Sequence, residues 1–139
     1  MGIAENKELV RKFYDAVERE DYDEVATYCH EDFIFYTQVD TPLPGAGGFI
    51  ESEKRNFDAF KGFKIPLHNL IAEDDRVAAY LIFEGKLGSE WHGIPAKGQK
   101  LRFSLFMMLR IADGKIIEKR AHFDVNDIIN QLKSRSEGH

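Results

Sequence analysis

Three residues near the C-terminal end of the chain have side chains that could move a proton. Arg120, His122 and Asp124 alternate with Ala121 and Phe123. Residues two apart share one face of a β-strand, so the cation, the imidazole and the carboxylate would lie together on a strand. A desolvated carboxylate has a raised pKa and is a better base near neutral pH, and a neighbouring imidazole or cation can stabilise an enolate. Asp124 is therefore a candidate general base, with His122 as its partner.

The polar face of this strand has two possible surroundings. The opposite face carries Ile117, Ala121 and Phe123, so we expect it to pack on something apolar. Alternating polar faces are ordinarily exposed to water, which favours a solvent-facing role for Arg120 and His122. If the polar face instead lines an apolar cavity, the same residues form a site. The pattern of the strand alone leaves both interpretations open.

The sequence gives little support for cysteine nucleophiles, metal sites or phosphate-binding cofactors. Cys29 is the only cysteine, so it forms no internal disulfide, and no base accompanies it as a nucleophile would require. The five histidines are scattered. His68 and His92 could each face a cavity, but a lone histidine is more often a structural or surface residue than a catalyst. Ligand spacings of zinc or iron sites and glycine-rich phosphate loops are absent. We predict no metal and no cofactor.

Hydrophobic periodicity indicates helices first and an antiparallel sheet afterwards. Leu9, Val10, Phe13 and Val17 recur at helical spacing, whereas later segments are rich in β-branched and aromatic residues. The predicted helices are residues 5–20, 21–29, 49–60 (a helix or an irregular lid) and 127–132, and the predicted strands are 33–39, 65–72, 77–83, 101–111 and 115–124. No repeat or linker marks a second domain, so we expect one domain over residues 1–139, with a core of about 5–132 and a disordered tail or tag remnant at 133–139.

Two of the predicted strands, 77–83 and 101–111, are apolar on both faces. An antiparallel sheet usually exposes one face to water, so these strands need cover on both sides. Helices can cover one side, and a second copy of the chain, related by a twofold axis, is the simplest cover for the other. A homodimer that associates through the sheet is therefore expected.

The amino-acid composition of the chain indicates which classes of partner it binds. Eleven Phe, five Tyr and one Trp are enough to line a cavity as well as fill a core, which favours a small apolar ligand. A formal net charge of −5 argues against nucleic acid, whose phosphates require clustered Lys and Arg. The N-terminus lacks the apolar stretch of a signal peptide, and no apolar run is long enough to span a membrane. We expect a cytoplasmic protein.

Three parts of the chain carry a resemblance to a known family: Phe13–Val17 with Asp21–Asp23, Gly93–Gly98, and Ile111–Glu118. They resemble segments of the SnoaL-like polyketide cyclases, which belong to the nuclear-transport-factor-2-like superfamily together with the ketosteroid isomerases. The resemblance covers about residues 5–132. It implies an α+β fold in which a cone-shaped, curved antiparallel or mixed sheet is wrapped by N-terminal helices around an apolar pocket.

The resemblance also implies a chemistry. The cyclases close rings by a cofactor-free aldol reaction, with a carboxylate at the end of the last strand as acid and base, and Asp124 occupies that position. The histidine that they carry on the preceding strand is replaced here by Met107, and Arg120 stands where relatives have an aromatic residue. The expected enzyme acts on a small apolar carbonyl compound, with Asp124 and His122 as catalytic residues. Arg120, Tyr36, Tyr80 and Met107 would contact the substrate. The alternative is a non-catalytic module of the same fold that binds a small molecule.

Overall fold

A computed structural model describes residues 2–60 and 62–134. Within them lie four helices and six strands. In chain order these are α1 (Ile3–Glu18), α2 (Tyr22–Thr27), β1 (Cys29–Gln38), β2 (Thr41–Pro44), α3 (Ala46–Phe57), β3 (Leu67–Glu73), β4 (Arg76–Lys86), β5 (Lys100–Ala112), β6 (Lys115–His122) and α4 (Val125–Ser134). Segment 49–60, for which the sequence left open a helix or a lid, thus overlaps the helix α3.

The N-terminal helices form because their apolar residues meet the core and their ends are capped. Leu9, Val10, Phe13 and Val17 are all buried on one side of α1, as their spacing predicts. At the start of α2 the Asp21 carboxylate accepts a hydrogen bond from the backbone N–H of Glu24 at 3.1 Å. This contact satisfies an N–H that would otherwise lack a partner in the first turn.

The strands form one mixed sheet in the order β2-β1-β6-β5-β4-β3. β1 and β6 are parallel, and the other neighbouring pairs are antiparallel. The short edge strand β2 was not predicted, because residues 40–45 look like a turn in the sequence. The sheet is not closed into a barrel, and together with the helices it gives the predicted cone-like α+β fold.

The sheet has an inner face against the helices and an outer face away from them. On β5 the odd-numbered Leu105, Met107 and Leu109 are buried, whereas Phe106 and Met108 on the outer face are 48% and 37% exposed. The alternation follows from the period of two in a strand. Both faces of β5 are therefore apolar, as the sequence indicated, but only the inner one is covered by this chain.

A bulge between β5 and β6 decides which residues of β6 face inward. The register shifts between Arg110 and Ile111, where the chain pairs Ile111 with Ile116. Ile116 is fully buried, Ile117 is partly buried, and beyond the bulge the odd-numbered Lys119 and Ala121 are the buried residues. A bulge puts an extra residue in one strand and exchanges the faces on either side of it.

The last helix continues further than the sequence suggested. α4 ends at Ser134, so residues 133 and 134 belong to a helix and not to the tail that the sequence predicts. Residues 135–139 lie outside the described part of the chain. Among the described helices, none combines the length and the apolar character that crossing a bilayer requires.

Candidate active site

A cavity of about 760 Å³ lies between the inner face of the sheet and the helices. α1, α3 and α4 contribute to its wall, as do β1, β4, β5, β6 and the segment between β4 and β5. Much of the lining is aromatic, from Phe35, Phe49, Phe57, Phe83, Trp91 and Phe103. A concave, mainly apolar space of this size is typical of sites for small organic ligands.

Lys119 is the least expected residue in this wall. It lies on the inner face of β6, lines the cavity and is only 1% exposed. Its Nζ lies 3.7 Å from Sδ of Met107, 4.5 Å from the ring centre of Phe35 and 5.0 Å from that of Phe49. Lys119 forms no ion pair of 4.0 Å or less with any described residue. Burial lowers its pKa below that of an ordinary lysine, because an ammonium ion loses hydration there.

Glu53 lines the same cavity from α3. Burial raises the pKa of its carboxyl group, and the positive charge of Lys119 acts in the opposite direction. Conversely, Glu53 raises the pKa of Lys119 but does not offset the effect of burial. Desolvation therefore outweighs the attraction between the two groups. Both are displaced toward the neutral forms, in which an amine can accept a proton and a carboxyl group can donate one.

A buried hydroxyl accompanies this pair. Tyr14 on α1 is 4% exposed and lines the cavity, and its hydroxyl has no hydrogen-bond partner among the described residues. Burial and the nearby negative charge of Glu53 raise its pKa well above the ordinary value, which keeps the hydroxyl protonated. The indole N–H of Trp91 also lines the cavity wall without a described partner. A ligand with oxygen atoms could accept hydrogen bonds from both groups.

Of the six residues that the sequence singled out, Met107 lines the cavity. It contacts Lys119 from the neighbouring strand, and it is 4% exposed. A thioether cannot relay a proton, so Met107 contributes shape and a weak acceptor. His92, which the sequence left undecided, also lies in the wall.

Asp124 has a different position from the one expected. Its side chain is exposed, and its Oδ1 accepts a hydrogen bond from the backbone N–H of Asp127 at 3.1 Å. The Asp124 carbonyl oxygen also accepts from the N–H of Ile128 at 3.3 Å. These contacts are those of the residue that caps the N-terminus of α4. The described lining of the cavity does not include Asp124, so the geometry gives no support to its role as the general base.

The other four predicted residues lie on the outer face of the sheet. Arg120 stacks over the ring of Tyr36 at 3.9 Å and its Nε donates a hydrogen bond to Glu118 at 3.3 Å. His122 is exposed and pairs in register with Phe106, whose ring lies 6.3 Å from that of Tyr80. The polar triplet of Arg120, His122 and Asp124 therefore does not enter the described cavity, because the even-numbered end of β6 faces away from it.

The position of Lys119 in the sequence is itself a signal for a site. Lys119 stands between Ile117 and Ala121 in the alternation, on the face that we expected to pack against apolar side chains. A lysine on such a face is either partly exposed or functionally perturbed. Glu53 and Tyr14 had no comparable signal, because a carboxylate or a tyrosine on an amphipathic helix is common.

The buried thiol behaves as its isolation in the sequence suggested. Cys29 is free and buried, and burial raises its pKa to about 11. The positive charges of Lys119 and Lys115 act in the other direction but do not prevail. A protonated thiol is a poor nucleophile.

Comparison with known proteins identifies the class. The family model of the SnoaL-like polyketide cyclases matches residues 8–132. The match extends over most of the chain, so this protein belongs to the SnoaL-like polyketide cyclase family. A search of curated protein sequences gave no match.

Solved structures agree on the fold. A SnoaL-like polyketide cyclase from Jannaschia sp. CCS1 has 20% identity and a TM-score of 0.88, with 97% of this chain and 96% of that one covered. AclR from Streptomyces galilaeus, a proposed hydroxylase, has 22% identity and a TM-score of 0.87, with 96% and 99% covered. An epoxide hydrolase from M. tuberculosis has 20% identity and a TM-score of 0.74, with 95% and 92% covered. These identities establish a shared fold, on which the named activities differ.

Proposed function

We propose that the cavity is the active site of a cofactor-free enzyme that acts on a small, largely apolar carbonyl compound by acid–base chemistry. Aldol cyclisation and isomerisation are the reaction types in question. The observation that carries the proposal is Lys119, a buried amine without an ion-pair partner among the described residues, in the wall of a mainly apolar cavity. Burying a charge is costly unless it is compensated, so such residues are concentrated at functional sites.

Glu53 takes the part of the general base in this proposal, in place of Asp124. Its raised pKa brings its basicity closer to neutral pH, where proton abstraction by a carboxylate is more efficient. Lys119 activates the carbonyl group from the opposite wall, and the Tyr14 hydroxyl donates a hydrogen bond to the oxygen on which negative charge develops. Glu53, Lys119 and Tyr14 lie on α3, β6 and α1, so they come together only in the folded chain.

A second copy of the chain is the partner that we propose. Phe106 and Met108 of β5 and Ile71 of β3 are exposed on the outer face of the sheet, at 48%, 37% and 68%. Such an apolar area favours association, and a twofold dimer would cover it in both copies. The stacked Arg120 and Tyr36 would then contribute to the interface instead of the substrate site.

Exchange of protons for deuterium provides a test that needs no knowledge of the natural substrate. 2-Tetralone in D2O loses its α-protons when a base removes them, and NMR follows the loss. We expect the wild-type protein to accelerate the exchange and Glu53→Gln to reduce that acceleration by about 100-fold or more, the usual contribution of a general base. Glu118→Gln, which changes a carboxylate on the outer face, is the matched control and should retain the activity.

The alternative function, a binding module without catalysis, gives a different result. It is favoured by Met107, which stands where the cyclases have a histidine. Thermal unfolding in the presence of 2-tetralone would then show a raised midpoint, because a ligand that prefers the folded state stabilises it. If binding is observed and exchange is not accelerated, the binding module is the correct function and the enzyme proposal fails.

A further inference from the structure

We propose that Lys119 is a nucleophile, and that the cavity binds aldehydes and unhindered ketones by forming an imine with its Nζ. This inference rests on the proposed function, since it specifies how the carbonyl group is activated. It assigns a covalent step to a residue for which the comparisons with known proteins give no role. The ligand class follows from the amine and from the walls around it.

The surroundings of Nζ are suited to a neutral amine. Its nearest described contacts are the thioether of Met107 and the rings of Phe35 and Phe49, and Glu53 and Cys29 also act on it by raising its pKa. The rings attract a cation weakly, but no carboxylate of the described residues lies within ion-pair distance. Burial accordingly lowers the pKa of Lys119. A lysine that is desolvated in an apolar pocket is activated toward carbonyl compounds, because its lone pair is free for a larger fraction of the time.

The proposed step is an addition followed by loss of water, with no change of oxidation state. The Nζ lone pair attacks the carbonyl carbon, a C–N bond forms, and the π electrons move to oxygen. One proton passes from nitrogen to that oxygen, which gives a carbinolamine. The C–O bond then breaks, the oxygen leaves as water after taking up a second proton, and the protonated imine remains. Glu53 and Tyr14 line the same cavity and are the groups that can exchange these protons.

The protonated imine would also explain the position of the carboxylate. Its positive charge withdraws electrons from the neighbouring carbon, so a proton on that carbon becomes more acidic. Removal of that proton by Glu53 gives an enamine, which is the carbon nucleophile of an aldol reaction. The pair of an amine on β6 and a carboxyl group on α3 then acts in sequence on one ligand.

The side chains in the cavity wall indicate the size and polarity of the ligand. About 760 Å³ with several aromatic side chains suits an uncharged aromatic or polycyclic compound. The carbonyl group must be accessible to Nζ on the inner face of β6, so it should stand at an end or edge of the ring system. An aldehyde or a methyl or ring ketone meets that condition, whereas a carboxylic acid or an ester does not form an imine.

Reductive trapping tests the inference directly. 6-Methoxy-2-naphthaldehyde and sodium cyanoborohydride are added at pH 7 to the whole protein, and peptide mass spectrometry identifies the modified lysines. A lysine side chain in water has a pKa of about 10.4, so a fully hydrated amine is almost entirely protonated at pH 7. We expect Lys119 to carry the label and to be modified faster than any exposed lysine, because its lowered pKa leaves a larger fraction of the amine neutral at this pH.

Two variants accompany the wild-type protein. Lys119→Arg keeps a cation but cannot form an imine, and it should lose the rapid labelling. Lys12→Arg changes an exposed lysine on α1 and should leave the labelling of Lys119 unchanged. Circular dichroism reports whether Lys119→Arg is folded, and the mapping of the wild-type protein decides the question even if it is not. Modification spread evenly over the exposed lysines would overturn the inference.

The result is independent of the proton-exchange test. Exchange that depends on Glu53, without a label on Lys119, would leave the proposed function intact and refute the imine. A label on Lys119 without any exchange would support the imine and refute the acid–base enzyme.

Discussion

Lys119 and Arg120 are consecutive basic residues of β6, and their side chains lie on opposite faces of the sheet. Lys119 faces the cavity, is 1% exposed and has no described ion-pair partner. Arg120 faces outward, with its side chain 33% exposed, stacked on Tyr36 and bonded to Glu118. Arg120 thus has an ion-pair partner, and Lys119 has none among the described residues. A buried charge without an ion-pair partner is therefore a better indicator of a site than a polar cluster whose members pair with one another.

The same contrast applies to the aromatic residues of the two faces. Phe49 on the inner side is 1% exposed and its ring contacts those of Phe13, Phe33 and Phe35. Phe106 on the outer side is 48% exposed and has one close aromatic neighbour on the adjacent strand, Tyr80. Inner residues should thus determine the stability of one chain, and outer residues the association of two.

The largest predicted effect separates these two contributions. Phe49→Ala should lower the free energy of unfolding by about 3 kcal/mol or more, because it leaves a void among aromatic side chains. Phe106→Ala should change the free energy of unfolding by no more than about 0.5 kcal/mol at protein concentrations where single chains predominate. Denaturant titrations measure both quantities. Sedimentation at higher concentration should show weaker self-association for Phe106→Ala, and equal self-association in both variants would contradict the proposed dimer.

Replacement of the buried lysine should have the opposite sign. Lys119→Met should raise the free energy of unfolding at pH 7 by about 1 kcal/mol, since a buried charged group is replaced by an apolar one of similar length. Arg120→Met on the outer face is the matched control. It should change the free energy of unfolding by less than about 0.5 kcal/mol. A marked loss of stability in Lys119→Met would mean that the lysine is structural.

The pH dependence sharpens this prediction. Burial lowers the pKa of Lys119 in the folded state, so between that value and the ordinary value of about 10.4 the unfolded chain binds more protons. The folded state of the wild-type protein therefore gains stability from Lys119 as the pH rises through this interval. Lys119→Met lacks this gain, so its stability advantage over the wild-type protein should shrink as the pH rises and should stop changing above about pH 10.4. A difference that does not vary with pH would exclude the lowered pKa.

The smallest predicted effect concerns Asp124. Asp124→Ala removes the cap of α4 and should cost about 1 kcal/mol, whereas Asp124→Asn keeps a capping oxygen and should change stability by only a few tenths of a kcal/mol. Asp124→Asn should also retain the exchange of 2-tetralone protons. If Asp124→Asn abolished that exchange while Glu53→Gln retained it, the catalytic base would be Asp124 after all.

The fold was predictable from the sequence, because hydrophobic periodicity and the family resemblance point to the same arrangement. The position of Lys119 in the wall of the cavity was not, although the apolar residues of β6 indicated which of its faces is covered. β4 and β5 are apolar on both sides, so their pattern does not tell which side meets the helices. The bulge at Arg110 and Ile111 adds a shift in register that the residue types at these positions do not predict. A lone lysine among apolar residues was ordinary in the sequence and became informative only when its neighbours were known.

The surroundings of Lys119 have a consequence for how folding can be observed. The contacts of Lys119 come from three elements: Met107 lies across the β5–β6 hairpin, and Phe35 on β1 and Phe49 on α3 are distant in the sequence. Its lowered pKa therefore exists only once those three elements have docked, and denaturation returns an ordinary lysine. The rate at which this one amine reacts therefore reports when the three elements have docked during folding. The measurement needs no fluorophore or label introduced in advance.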